Sequence, residues 1–128
     1  MRARWASLWD IPQAISFGLA NAAKGNLDHR IYSYPTTRIM RAENEAGVAM
    51  AYLPMHTAAV LESLGWAPEL EAEQKAVAAV TATAEIEREA YAAGYREVFF
   101  ICSDDRTDEF CERKLGYERV TAMRKRLP

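Results

Sequence analysis

Between Trp66 and Gly94 the chain reads as one long helix, and the length of that helix dictates how the segments on either side of it can meet. Pro68 stands near the start, Glu69, Glu71 and Glu73 fall in the first turns, where the positive end of a helix favours carboxylates, and Gly94 supplies the stop. The interior is rich in alanine. Leu70, Val77, Val80, Ala84 and Tyr91 form a modest apolar stripe, while Glu85, Arg88 and Glu89 make the solvated side. Strand candidates flank the helix. Ala58 to Leu64 precedes it, with Val60, Glu62 and Leu64 on one face, and Arg96 to Cys102 follows it with the continuous run Val-Phe-Phe-Ile-Cys of a strand covered on both faces. Two strands joined through such a helix are expected as parallel neighbours in a right-handed crossover, with the second one central.

The first third of the chain supplies the rest of a sheet. Arg2 to Trp9 has the apolar area of a short strand in Trp5, Leu8 and Trp9. Asp10 then stands as a helix N-cap, Gln13 follows as in a capping box, and Pro12 lies where a missing N–H is harmless. Ile11, Ala14, Ile15, Leu19 and Ala22 share a helical face, and Gly25-Asn26 provides the stop. After a mixed loop from Asn26 to Thr36, alternation from Thr37 to Ala42, a turn over Glu43 to Gly47 and an apolar run from Val48 to Leu53 predict a hairpin. With Ala58 to Leu64 this makes an antiparallel meander. At the far end, Asp104 to Asp108 opens a short helix with Phe110, Cys111 and Leu115 on its apolar side; Gly116 closes it, and Tyr117 to Leu127 has the pattern of a last strand. The expectation is one α/β domain over residues 1–128, a mixed sheet flanked by helices.

Bulk properties narrow the function classes. At 128 residues, half of them apolar, the chain is the size of a single domain with one core. A net charge of -2 argues against nucleic-acid binding by overall charge. No run of about 18 apolar residues is present and the N-terminus lacks a signal peptide's apolar stretch, so a soluble, cytoplasmic protein is expected. Cys102 and Cys111 have no metal-ligand spacing and are too few for a disulfide framework; they read as free thiols, and no metal is expected.

The passage Ala92-Ala93-Gly94-Tyr95-Arg96-Glu97-Val98-Phe99-Phe100, running on into Phe110-Cys111-Glu112-Arg113-Lys114-Leu115-Gly116-Tyr117, together with this order of elements, resembles the GCN5-related N-acetyltransferase superfamily. The likeness covers roughly the last 40 residues well. It implies a three-layer α-β-α sandwich around a mixed, mostly antiparallel sheet. It also implies acetyl-CoA or another acyl-CoA in a splay between the fourth and fifth strands, with Leu64, Gly65 and Trp66 at the cofactor and Asp104 or Asp105 in the place of the family's asparagine. In that family the pyrophosphate sits on amides of a glycine-rich turn at the start of the long helix, where close backbone approach and positive potential hold phosphate. Here that region is Gly65-Trp66-Ala67-Pro68-Glu69-Leu70-Glu71-Ala72-Glu73, with one amide lost to proline and three carboxylates in place of the positive setting.

Catalytic residues carry over in part. The resemblance places Glu62 on the fourth strand as a base within reach of an amine, with partial burial able to raise its pKa; the other reading is a solvated or salt-bridged strand glutamate. The family's general-acid tyrosine falls on Cys111, or on Glu112 when aligned through Gly116. Cys111 reads either as a proton donor or as a small buried side chain. His56, in the preceding turn, reads as a weaker candidate base or as a polar surface histidine, and His29 as a polar surface histidine. The basic set Arg113, Lys114, Arg119, Arg124, Lys125 and Arg126 reads as a solvated or edge-protecting face, or as a contact for an acidic partner or the cofactor's phosphates.

Two functions follow. One is an acyl-CoA-dependent N-acyltransferase acting on a small amine or a protein acceptor. The other is a non-catalytic relative, a structural or interaction protein such as an accessory or virus-particle component, working with a protein partner or as a homo-oligomer. A different small ligand in the vacated splay is a third possibility.

Overall fold

The computed structural model describes residues 1–22, 29–62, 64–102 and 104–128. Along these run strand β1 (Arg2–Trp5), helix α1 (Ile11–Ala22), strands β2 (Arg38–Glu43), β3 (Ala49–Met55) and β4 (Ala59–Glu62), helix α2 (Ala72–Ala92), strand β5 (Val98–Ile101) and helix α3 (Asp105–Lys114). The chain forms two compact units interleaved in sequence. Unit 1 holds Met1–Ala58 and Ala90–Glu97; unit 2 holds Ala59–Glu89 and Val98–Pro128.

Unit 1 is built on an antiparallel ladder in the order β1-β2-β3. β1 pairs with β2 from Arg2↔Glu43 to Trp5↔Met40, and β2 pairs with β3 from Arg38↔Met55 to Glu43↔Ala49, with a bulge at Ala42/Glu43. Strand periodicity sends Arg2, Arg4, Ile39, Arg41 and Tyr52 to one face and Trp5, Met40, Leu53 and Met55 to the other. α1 lies on the first face, where Phe17 meets Tyr52 edge-on at 5.5 Å between centroids. Ile39 is buried there at 6% exposure, with Ala14 of α1. The opposite face is open: Leu53 is 72% and Met55 52% exposed.

Unit 2 carries a parallel ladder, β4 on β5, in register from Ala59↔Val98 to Glu62↔Ile101. The parallel crossover through a long helix is thus present. Gln74 reaches back to the N–H of Glu71 at 2.9 Å, a capping-box closure that starts α2 at Ala72, later than the expected start near Pro68, which lies in a turn. Gly94 ends this stretch at φ +90° with its N–H on the Tyr91 carbonyl, and Gly116 takes φ +75° after α3 while the Tyr117 N–H bonds the Cys111 carbonyl. A side chain at either glycine would be strained.

Several expectations are corrected. The described residues carry the expected mixture of helices with antiparallel and parallel pairing, but β4 pairs with β5 and has no pairing with β3, so the antiparallel meander does not extend to β4. β5 is paired only with β4 among the described residues and leaves Ile101 41% exposed, so it is not a strand covered on both faces. Tyr117 to Leu127 forms no strand. Its alternation lacks a ladder partner among the described residues, and Arg119 and Arg124 are engaged by carboxylates instead. Asp10 ends a 3-10 turn (Leu8–Asp10) whose N-cap is Ser7, so it is not the N-cap of α1. The Gly25-Asn26 stop and Ser63 of the third strand candidate lie outside the described residues.

Two measurements check this account of unit 1. Ile39→Ala should lower unfolding free energy by about 2–4 kcal/mol in urea titrations, the range for emptying an aliphatic core position. Acid should weaken the unit as well. Asp10 is held well below the usual carboxylate range, first by the Ser7 backbone N–H and then by Arg4 and Arg41, and Glu43 is lowered first by Arg2. Both contribute stability present above their unfolded values near about 4 and lost as pH falls through the lower folded values. Urea midpoints should therefore drop below about pH 4, with a shallower drop in Asp10→Asn.

Candidate functional site

The residues singled out by resemblance fall in unit 2. Glu62 is the last residue of β4, exposed, with Oε2 3.4 Å from the Arg124 Nη2. It sits opposite Ile101 at the end of four consecutive register pairs, so β4 and β5 show no splay over that length. Leu64 and Trp66 are half-buried beyond it, and Gly65 is exposed, with nothing within 4 Å of where a Cβ would stand. The turn that follows carries Pro68 and Glu69. Among the described residues, no hydrogen bond or ion pair joins Glu62 to Asp104, Asp105 or Cys111.

Asp104 caps α3. Its Oδ1 accepts the Thr107 N–H at 2.8 Å, and that bond holds the carboxyl below its ordinary value. Asp105 is exposed in the first turn, where it favours the helix dipole. Further along, Arg119 clamps Asp108 at 3.2 Å and Glu112 at 2.5 Å, so Glu112 serves as an ion-pair partner. Tyr117 donates to Glu87 at 3.2 Å, lies edge-on to Phe100, and is pushed up to about 12 by burial.

Cys111 is 4% exposed, and its sulfur lies 3.7 Å from that of Cys102, just past the end of β5. Burial pushes the Cys111 thiol up. Buried against the Cys102 sulfur, Cys111 fills a small apolar position on the inner side of α3. Cys102 is pushed up to about 12, chiefly by burial and then by a hydrogen bond to Asp108.

Unit 1 holds two polar clusters that local sequence patterns did not mark. In the first, Arg41 reaches Asp10 at 2.6 Å, Glu43 at 2.9 Å, the Tyr52 hydroxyl at 3.1 Å and the Gly47 carbonyl at 2.7 Å. Asp10 also accepts from the Ser7 N–H at 2.8 Å and from Arg4 at 3.1 Å; Glu43 accepts from Arg2 at 2.7 Å; and Tyr52 donates to Gln13 at 2.7 Å. Asp10 and Gln13 had the spacing of a helix cap, and their side chains serve this network. In the second cluster Glu97 accepts from the Tyr34 hydroxyl at 2.8 Å and faces the His56 Nε2 at 3.7 Å, while the two rings meet edge-on. His56 is therefore packed against a tyrosine and is not a solvated loop residue.

A hollow of about 280 Å³ also opens in unit 1, walled by Trp5, Leu8, Ile11, Tyr32 and Arg38, with Ser7 and Thr37 at its side. The Arg38 guanidinium stacks 3.7 Å over the Trp5 ring. Two hydroxyls at the side of the hollow are engaged, Ser7 with Asp10 and Thr37 with the Ile31 carbonyl. Among the described residues no group of three or more His, Cys, Asp and Glu is placed to hold a metal ion, and no helix is long and apolar enough to cross a membrane.

No family model and no curated protein matches this chain. Among solved structures, the whole chain is similar to one described as the crystal structure of a probable acetyltransferase, covering 97% of that chain at 14% identity with a TM-score of 0.43. The functional reading below rests on this chain's own residues.

Alkali offers a direct probe of unit 2. Cys102 and Tyr117 have folded values above their unfolded ones, so their contribution is complete below the unfolded values and is lost as pH rises through the folded ones. The urea midpoint should fall from about pH 9 toward pH 12, with a smaller fall in Cys102→Ser.

Proposed function

We propose that this chain is a divergent, non-catalytic relative of the acetyltransferases, an interaction protein whose open sheet face in unit 1 is covered by a second copy of the chain. The resemblance in element order and in the passage from Gly94 to Tyr117 supports the ancestry. The observation that carries the role is the uncovered apolar face of β1-β2-β3, where Leu53 is 72%, Met55 52% and Trp5 39% exposed. Leu8 and Trp9 add to the exposed apolar surface in the adjoining turn. Contiguous apolar surface of this kind marks interaction sites. The face is apolar apart from Arg38, which is stacked on Trp5, and an isologous contact would pair this patch with itself.

The acyltransferase reading has specific support in the position of Glu62 at the end of β4 beside β5. Against it stand the carboxylates Glu69, Glu71 and Glu73 before and at the start of α2, the exposure of Glu62 beside Arg124, and the raised Cys111 thiol. Acetyl-CoA at about millimolar concentration should leave the melting temperature unchanged, because a ligand that favours the native state must raise it. Saturable stabilisation would restore the enzyme reading, and Glu62→Gln should then lower turnover without altering cofactor affinity.

Light scattering tests the interaction role separately. A dimer is expected at concentrations of about 10–100 µM, with Leu53→Glu monomeric at the same concentrations and unchanged in far-ultraviolet circular dichroism. A clean monomer throughout that range would overturn the second copy as the covering surface.

A further inference from the structure

The two cysteines of unit 2 form a site to which nothing in the proposed role assigns a purpose. Cys102 follows β5 directly and Cys111 lies inside α3, and both are free thiols. The Asp104 cap and the bonds from Leu115 and Tyr117 to the Cys111 carbonyl hold α3 at both ends. The sulfurs are thereby brought to 3.7 Å, near van der Waals contact, while a disulfide bond measures about 2.05 Å. Closing the gap takes a movement of about 1.7 Å, within reach of side-chain rotation and a small backbone adjustment.

We propose that Cys102 and Cys111 are a reversible dithiol–disulfide site, oxidised by low-molecular-weight disulfides. The thiolate of Cys102, the less buried of the pair, attacks one sulfur of the oxidant and expels one small thiolate, leaving a mixed disulfide on Cys102. Cys111 then loses its proton to solvent and attacks the Cys102 sulfur, expelling the second small thiolate. The chain has lost two hydrogens, and one disulfide has been reduced to two thiols. The bond links the end of β5 to α3 and spans the Asp104 cap.

The surroundings set the rate. Burial and Asp108 hold the proton on Cys102, whose pKa of about 12 leaves little thiolate at neutral pH. Oxidation should be slow at pH 7 and quicken about tenfold per pH unit up to pH 9. Asp108→Asn removes a negative charge that disfavours the Cys102 thiolate and should accelerate it.

The test uses the full chain, reduced, desalted and incubated without denaturant in glutathione disulfide at about pH 8.5. Expected are the loss of both free thiols, a chain with no intermolecular disulfide whose intact mass is lower by two hydrogens, and a urea midpoint that rises and is restored by dithiothreitol. Cys111→Ser should stop at one glutathione on Cys102, and Cys102→Ser should remain unmodified, because Cys111 is only 4% exposed. A chain carrying two glutathiones, a disulfide-linked dimer, or two intact thiols under conditions that oxidise the urea-unfolded chain would each overturn the proposal.

Discussion

The guanidinium of Arg41 is the interaction on which unit 1 depends. It sits between the carboxylates of Asp10 and Glu43 and also takes the Gly47 carbonyl and the Tyr52 hydroxyl. One side chain thus joins β2 to the turn before α1, to its own hairpin loop and to β3. The apolar side chains buried in this unit are mostly small, Ala14, Ala49 and Ala90 with Ile39, so the helix-to-sheet contact is specified largely by charge and hydrogen bonding. Such a network is demanding, because each buried carboxylate needs its partners in place, and that demand fixes register as firmly as a larger core would.

Unit 2 follows a different logic. Its ladder has two strands, its helix α2 buries small side chains at Ala79 and Thr83, and its short helix α3 buries Cys111. A two-stranded ladder has marginal stability alone and gains from helices and loops laid beside it. The Arg119 clamp on Asp108 and Glu112, and Tyr117 on Glu87, are the ties that attach the segment after α3 to that frame. The same packing that suits a small cysteine at 111 raises its thiol above the ordinary value through burial.

Catalysis by an acyltransferase would ask for three things together: a cradle for phosphate, a base facing the amine and an acid facing the thiolate. In this chain the turn before α2 is acidic, Glu62 is solvated next to Arg124, and Cys111 is buried against Cys102. The apolar surface left exposed on the β1-β2-β3 face, with Leu53 and Met55 outward, is the observation behind the proposed interaction role. The proposed role and the proposed thiol chemistry occupy different units, so each stands on its own observations.

Local signals in the sequence determined a large part of this structure. The alanine-rich stretch and Gly94 settle α2, Asp104 and Gly116 bracket α3, and the alternation on either side of Glu43 to Gly47 settles the hairpin, because propensity, capping and positive φ act within a few residues. The parallel pairing of β4 and β5 follows from the length of the helix between them. Tertiary structure alone decided that the strands divide into two ladders, that Asp10 answers Arg41 instead of capping α1, that Glu97 joins Tyr34 to His56, and that Cys102 touches Cys111. Those outcomes depend on register and on side chains far apart in the chain, and a period or a cap residue carries no information about which distant partner will arrive. The last strand shows the limit most plainly: Tyr117 to Leu127 has the alternation, yet a strand exists only where another backbone offers it a ladder.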